Sequence, residues 1–187
     1  KAGTGVSRVG RFKTAPAVNA DVNNLNFAFM SCQDWSVNHW IGLSALVKHN
    51  LDFVVHLGDY IYEAAGDSYQ AEKVEGLHDK IMMPSNTRKP NNPDAQIAMT
   101  TEDYRYLYKK YRSDSRLQDL HARFAIIAVW DDHEFSDDCW GDSETYDNGS
   151  ATDNVHQPAR RRQANHRPGL IEGAAAKRAG AGIVAQR

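Results

Sequence analysis

The sequence predicts an α/β protein in which helices cover a parallel β-sheet. Three short apolar runs have the composition of strands: residues 26–32, 51–59 and 124–130. The second run is almost continuously apolar, which is typical of strands covered on both faces, as in parallel sheets. Between the first two runs, residues 36–49 carry apolar side chains at helical spacing, so strand, helix and strand form one predicted βαβ unit.

Size and composition place the chain among ordinary globular domains. It has 187 residues, 41% of them hydrophobic and 25% charged, which is enough to build one core. A formal net charge of −2 gives no basic field for nucleic acid, so we expect no nucleic-acid-binding patch. No apolar run approaches the roughly 20 residues of a membrane span, and the N-terminal residues have no signal-peptide-like apolar centre. The two cysteines are too few for a disulfide framework. The oligomeric state is left open.

A helix is predicted between the first two strands, whereas no regular element is predicted in the region after the second strand. Residues 36–49 form the helix, with Ser36 as a possible N-cap and Asn50 as a possible stop. Residues 64–99 are polar and contain three prolines, and we expect no regular element there.

Two further helices are predicted before the third strand and one after it. Residues 99–114 follow helical spacing with Thr101 as the cap, and residues 115–124 form a second short helix. Residues 156–165 begin another helix, with Pro158 in its first turn. The helix at 99–114 carries a largely aromatic stripe that we interpret as core packing: Tyr104, Leu107, Tyr108 and Tyr111.

The two ends of the chain differ from its centre. Residues 1–24 show little periodicity and are expected to be a linker or the end of a preceding domain. Residues 169–187 are rich in Ala, Gly and Arg, have no clear amphipathic face and are expected to form an atypical tail.

Polar residues that can bind metals follow each predicted strand. Because the carboxyl ends of parallel strands meet at one edge of the sheet, we expect these side chains to converge. Gly58 would allow the tight turn that aims the following carboxylate into the common site. The candidates are Cys32 after the first strand, Asp59 and Tyr62 after the second, and Asp131, Asp132 and His133 after the third.

These donors favour a highly charged cation. Thiolate and phenolate are both known iron ligands, whereas carboxylates suit calcium or magnesium. Asp59 could bridge two ions, and two ions can clamp a phosphoryl group. His133 would then be placed to give a proton to the leaving oxygen.

Each residue also has a simpler interpretation. Asp59 could belong only to a turn, and Cys32 could be a small buried apolar residue. Asp131 and Asp132 could cap a helix, and His133 could be a hydrogen-bonded structural residue. The remaining acidic residues are interpreted as a solvated loop: Asp137, Asp138, Asp142 and Glu144.

Several segments resemble the PhoD-type alkaline phosphatase/phosphodiesterase family of the metallophosphoesterase superfamily. The resemblance spans roughly residues 5–165, and GDYIY with WDDHE is specific in combination. The matching segments are FAFMSCQDW, LDFVVHLGDYIYE, EDYRYLYKKYRSD, FAIIAVWDDHEFSDD and RRRQAN.

The resemblance implies a fold, a reaction and metals. The fold would have metallophosphoesterase-like layers of βαβ sheet flanked by helices. Cys32, Asp59 and Tyr62 would bind Fe³⁺, and Asp59 with Asp131 or Asp132 would bind Ca²⁺. A metal-bound hydroxide would attack phosphoric monoesters or diesters while His133 protonates the leaving group. The family's location implies a protein outside the cytoplasm.

The same resemblance implies a domain organisation. Residues 1–24 would end a preceding β-sandwich domain, and residues 25–168 would form the N-terminal half of the catalytic domain, apparently without the C-terminal half. Because the family's late metal ligands have no counterpart here, a non-catalytic metal-binding fragment is the alternative function. A Rossmann-like nucleotide binder is a weaker alternative, since SCQDW stands where a Gly-rich phosphate loop is expected.

Overall fold

A central sheet of four strands organises the protein. The computed structural model describes residues 6–36, 40–66, 78–89 and 92–138 and the backbone of strand 182–186. The strand order in the sheet is β6-β2-β1-β7. These strands are β1 (Leu25–Met30), β2 (Phe53–His56), β6 (Ala125–Ala128) and β7 (Gly182–Gln186).

The predicted parallel arrangement of the three apolar runs is confirmed. β1 pairs with β2 in parallel from Phe27↔Phe53 to Met30↔His56. β2 pairs with β6 in parallel from Phe53↔Ala125 to His56↔Ala128. The carboxyl ends of all three strands therefore lie side by side, and the predicted α/β fold class is confirmed.

The fourth strand lies inside the segment interpreted as a tail. β7 runs antiparallel to β1, from Phe29↔Gly182 to Leu25↔Gln186. This strand was not predicted, since Ala- and Gly-rich segments have low strand propensity. The predicted helix at 156–165 lies outside the described residues.

The three helices of the described residues correspond to predicted ones, with shifted boundaries. α1 (Ile41–Leu46) is shorter than predicted and begins after Trp40, not after Ser36. α2 (Thr101–Tyr111) and α3 (Ser115–Arg123) lie where the apolar spacing indicates.

The N-cap of α2 is one residue earlier than predicted. Thr100 accepts a hydrogen bond from the Asp103 backbone N–H, and the Asp103 carboxylate accepts one from the Thr100 N–H. This reciprocal capping box fixes the first turn of the helix.

The expectation of no regular element at 64–99 is wrong. A small antiparallel sheet forms there in the order β3-β5-β4. Its strands are β3 (Ala64–Ala65), β4 (Arg88–Lys89) and β5 (Asn92–Ile97). Two of them are only two residues long, which is too short for a periodic apolar pattern to reveal.

One face of the main sheet packs on the helices. Ala28 and Val54 are completely buried on this face, and Leu107 of α2 and Leu120 of α3 are buried in the same core cluster. The stripe of α2 is core as predicted, because Tyr104, Leu107 and Tyr111 are each at most 1% exposed.

The opposite face is less covered within the described residues. Phe27 and Phe53 stack across β1 and β2 with ring centroids 5.3 Å apart and are half-buried. Ile127 of β6 is 55% exposed. The expectation of strands covered on both faces therefore holds for only one face of this part of the chain.

A buried ionic cluster joins the start of α3 to the loop after β1. The Asp114 carboxylate caps α3 and binds Arg116, with the closest guanidinium contact at 2.6 Å. His78 Nε2 lies 2.8 Å from the same carboxylate, and His78 Nδ1 donates to the Trp35 carbonyl. The His78 ring also stacks on the Trp35 indole at 3.5 Å.

Among the described residues, every helix is too short or too polar to cross a membrane.

The ionic cluster predicts an acid-sensitive contribution to stability. Burial alone would raise the pKa of Asp114, but hydrogen bonds from Arg116 and His78 outweigh it and lower the pKa to about 2. Because the folded-state pKa is depressed, this stabilisation is complete above about pH 4 and is lost as the pH falls toward 2. We predict that Asp114→Asn lowers the free energy of unfolding by about 2 kcal/mol at pH 7.

Urea unfolding of both proteins at pH 7, 5 and 3 checks this prediction. The matched control is Asp119→Asn, which changes an exposed carboxylate on the same helix. A difference between wild type and Asp114→Asn that is as large at pH 3 as at pH 7 would contradict it.

Candidate metal centre

The loops after β1 and β2 are joined backbone to backbone. The Cys32 N–H donates to the Gly58 carbonyl at 3.2 Å, and the Gln33 N–H donates to the Asp59 carbonyl at 3.1 Å. These bonds continue the parallel pairing beyond the last strand residues. The two loops therefore leave the sheet together, and Cys32 and Asp59 lie side by side.

Both of these candidate ligands have left-handed backbone conformations. Cys32 has φ 57° and Asp59 has φ 55°. Residues other than glycine adopt this region rarely, and such strain is found mostly at functional sites.

Gly58 makes room for the loop after β6. Its φ is +106°, and a Cβ placed on it would lie 2.4 Å from the Cβ of Asp131. A side chain at position 58 would therefore push the two loops apart. The sequence-based expectation of a tight turn at Gly58 is confirmed by this conformation.

Asp59 lies at the centre of the site. It is 6% exposed, and its Oδ1 is buried without a hydrogen-bond partner among the described residues. The Tyr62 hydroxyl donates to Asp59 Oδ2 at 3.4 Å. Asp59, Asp132 and His133 each offer one ligand atom, and these atoms lie within 4.8 Å of one another.

Burial, and to a smaller extent the neighbouring charges, disfavours ionisation of the acidic groups. Burial, with a further contribution from Asp132, raises the pKa of Asp59 to about 6, although His133 opposes the shift. Burial and the charge of Asp59 raise the pKa of Tyr62, and burial raises that of Cys32. Both Asp59 and Tyr62 lie close enough to the Cys32 thiol to influence its pKa. A bound cation would stabilise the ionised forms of these buried groups, so the donor set and the unpartnered Asp59 oxygen fit a metal ion.

His133 is held by Glu63. Its Nδ1 lies 2.8 Å from Glu63 Oε2, and the Glu63 side chain is fully buried. Burial lowers the pKa of His133, but the hydrogen bond and charge of Glu63, with Asp59 and Asp132, outweigh it and raise the pKa to about 10. The protonated ring can therefore act as a proton donor, and the contact between its Nδ1 and Glu63 sets its orientation.

The Glu134 carboxylate forms hydrogen bonds with the backbone of both the loop after β2 and the loop after β6. Its Oε2 accepts from the N–H groups of Asp59 at 3.0 Å and Asp131 at 2.7 Å, and its Oε1 accepts from that of Tyr60. Glu134 is 1% exposed, so these bonds are shielded from water. This carboxylate fixes the position of Asp59 through the backbone.

The structure distinguishes the two adjacent candidate acids. Asp132 belongs to the group around Asp59. Asp131 lies beside Gly58, and within the described residues it is outside that group. Asp132 also lies close to Asp137 and Asp138. Asp142 and Glu144, which were interpreted as parts of a solvated loop, lie outside the described residues. Cys139 also lies outside them. Cys32 forms no disulfide within the part of the chain that is described.

Sequence reasoning gave no role to Glu63 and Glu134. Each is a buried carboxylate immediately after a candidate ligand pattern: Glu63 follows GDYIY, and Glu134 follows DDH. A buried Glu is rare unless it is paired, but burial at these positions becomes visible only when the loops are assembled.

Comparisons with known proteins point to one family. The family model described as PhoD-like phosphatase matches residues 27–168. Alkaline phosphatase D of Bacillus subtilis (strain 168) is 39% identical over 134 residues, which cover 72% of this chain and 21% of that protein. A solved structure described as "Structure of PhoD" is 33% identical with a TM-score of 0.52, covering 67% of this chain and 22% of the other.

The chain spans about a fifth of the length of each of these two relatives. The match to the family model nevertheless spans the positions of all the predicted ligands, the whole of β2 and β6, and β1 from Phe27 onward. By that match, the chain belongs to the PhoD-like phosphatase family.

Proposed function

We propose that the chain forms a metal centre that hydrolyses phosphoric esters, with monoesters and diesters as the substrate class. The observation that carries the proposal is the buried Asp59 carboxylate, which has one unpartnered oxygen and is surrounded by a thiol, a phenol, a second carboxylate and an imidazole. Family membership supports phosphatase chemistry in general.

Each donor has a proposed metal. Cys32, Asp59 and Tyr62 would hold Fe³⁺, because thiolate and phenolate favour that ion. Asp59 and Asp132 would hold Ca²⁺, and Asp131 is the alternative carboxylate. When bound, the two ions would neutralise the oxygens of the phosphoryl group and lower the pKa of water.

The roles of the protein side chains follow from their positions. Asp59 would bridge the two metal sites, since its carboxylate faces both Tyr62 and the Asp132–His133 pair. His133 would give its proton to the leaving oxygen, because Glu63 occupies its Nδ1 and holds the ring against Tyr62 at 4.1 Å. Glu63 is thus proposed as the residue that orients the acid.

A metal-binding domain without turnover is the second candidate. It is supported by the fact that the chain spans about a fifth of its relatives' length, while the described residues already bring Asp59, Asp132 and His133 together. Assays with p-nitrophenyl phosphate and bis-p-nitrophenyl phosphate, with and without iron and calcium, separate the two. Retained metal without hydrolysis of either ester would favour the second candidate.

A location outside the cytoplasm stays a prediction from the family resemblance.

Asp59→Asn tests the bridging carboxylate. Because asparagine keeps the shape but removes the charge, we predict that both metal content and hydrolysis fall by about 10²-fold or more. Elemental analysis and the two p-nitrophenyl assays measure these effects. Asp119→Asn, an exposed acid-to-amide change, is the control that should keep wild-type values. Wild-type metal content in Asp59→Asn would contradict the bridging role.

Glu63→Gln tests the orientation of His133. A general acid matters most when the leaving group is a poor one, so we predict a fall of about 10²-fold in kcat for phenyl phosphate and a smaller fall for p-nitrophenyl phosphate. Metal content should stay unchanged. The matched control is Glu102→Gln, which alters an exposed carboxylate of α2. Equal losses for both substrates would count against an acid held by Glu63.

A further inference from the structure

The Tyr111 hydroxyl connects two loops that carry candidate ligands. Tyr111 is completely buried at the end of α2. Its oxygen accepts hydrogen bonds from the backbone N–H groups of Trp35 and Tyr62, each at 3.2 Å. Trp35 lies three residues after Cys32, and Tyr62 is itself a candidate ligand. One oxygen atom therefore fixes the spacing between the loops after β1 and β2.

The Tyr104 hydroxyl reaches the third loop. Tyr104 lies seven residues before Tyr111, which places both side chains on the same face of the helix. Tyr104 is 1% exposed, and its hydroxyl donates to the Phe135 carbonyl. Phe135 follows two residues after His133. Through these two hydroxyls, α2 contacts the loops after β1, β2 and β6.

Core packing accounts for the rings but leaves the hydroxyl contacts unexplained. Phenylalanine would fill nearly the same space without burying a polar atom. The helix is also anchored at its start, because the buried Asp103 carboxylate accepts from the N–H groups of Ser85, Met99 and Thr100. A helix fixed at its first turn can hold the hydroxyls of its later turns at constant positions.

We propose that the hydroxyls of Tyr104 and Tyr111 are positioning groups of the metal centre, which hold the three ligand-bearing loops at the separation that metal binding requires. The inference rests on the proposed function, because it assumes that the residues around Asp59 bind metal. The two tyrosines act through the backbone of Trp35, Tyr62 and Phe135 and do not touch the metal.

Tyr111→Phe and Tyr104→Phe test the proposal on the whole chain. In each variant the loops lose one anchor, and we expect the affinity for Ca²⁺, measured by calorimetric titration of metal-free protein, to fall about 10- to 100-fold. Iron content after loading under air, followed by the visible ferric absorption band, should fall in parallel. Far-UV circular dichroism confirms that each variant is folded, and if Tyr111→Phe is not folded, Tyr104→Phe decides.

Two control variants separate positioning from packing. Tyr106→Phe removes a hydroxyl from the same helix that accepts from the Met82 N–H, away from the ligand-bearing loops, and should keep wild-type metal affinity. Leu107→Ala removes a buried apolar side chain between the two tyrosines and should lower the melting temperature while the folded protein keeps its metal affinity.

The outcomes distinguish this inference from the proposed function. Wild-type metal affinity in the folded tyrosine variants, together with its loss in Asp59→Asn, would overturn the positioning role and leave the metal centre intact. A loss of affinity in Leu107→Ala as large as that in the tyrosine variants would also overturn it. A wild-type protein that binds neither metal would refute the centre and the positioning role together.

Discussion

The burial of ionisable groups around Asp59 is the constraint on which the structure of this site depends. A thiol, a phenol and carboxylates are brought together by loops that are hydrogen-bonded backbone to backbone and that approach closely at Gly58. Burial raises the pKa of Cys32, Asp59 and Tyr62, and neighbouring acidic groups raise these pKa values further. Such an arrangement opposes folding unless a cation compensates, so the conformation is explained best as a preformed metal site.

Two kinds of bond hold the loops together around these buried groups. Glu134 binds backbone N–H groups of both the β2 and the β6 loops, and Tyr111 binds those of the β1 and β2 loops. Neither residue is a candidate ligand. Their hydrogen bonds support the loops that carry the ligands, and because these bonds are buried they are costly to break. The ionic cluster at Asp114 also supports the loop after β1, because His78 contacts both the Asp114 carboxylate and the carbonyl of Trp35 in that loop.

The sequence predicted the parts of the fold that leave a local pattern. Apolar runs revealed the three parallel strands, and helical spacing revealed α2 and α3. The positions of Cys32 beside the Asp59 loop and of His133 near Asp59 follow from the rule that parallel strands end at one edge. The small sheet was missed because β3 and β4 are two residues long and polar or Ala-rich. The cap was predicted one residue late, at Thr101, although the acidic partner of the capping box, Asp103, lies three residues after Thr100.

Glu63 and Glu134 could not be assigned roles from local sequence, since their partners depend on tertiary contacts. Glu63 meets His133 across 70 positions of the chain, and Glu134 meets Asp59 across 75. The same is true of Tyr111, for which the helical stripe predicted burial of the ring but gave no indication of the hydroxyl's partners.

X-ray absorption at the iron edge of the metal-loaded protein tests the central claim most directly, because it identifies the elements bound to the ion. Our account predicts one sulfur neighbour, from Cys32, together with oxygen neighbours from Asp59 and Tyr62, and loss of the sulfur contribution in Cys32→Ser. An iron shell of oxygen and nitrogen alone in the wild-type protein would contradict it.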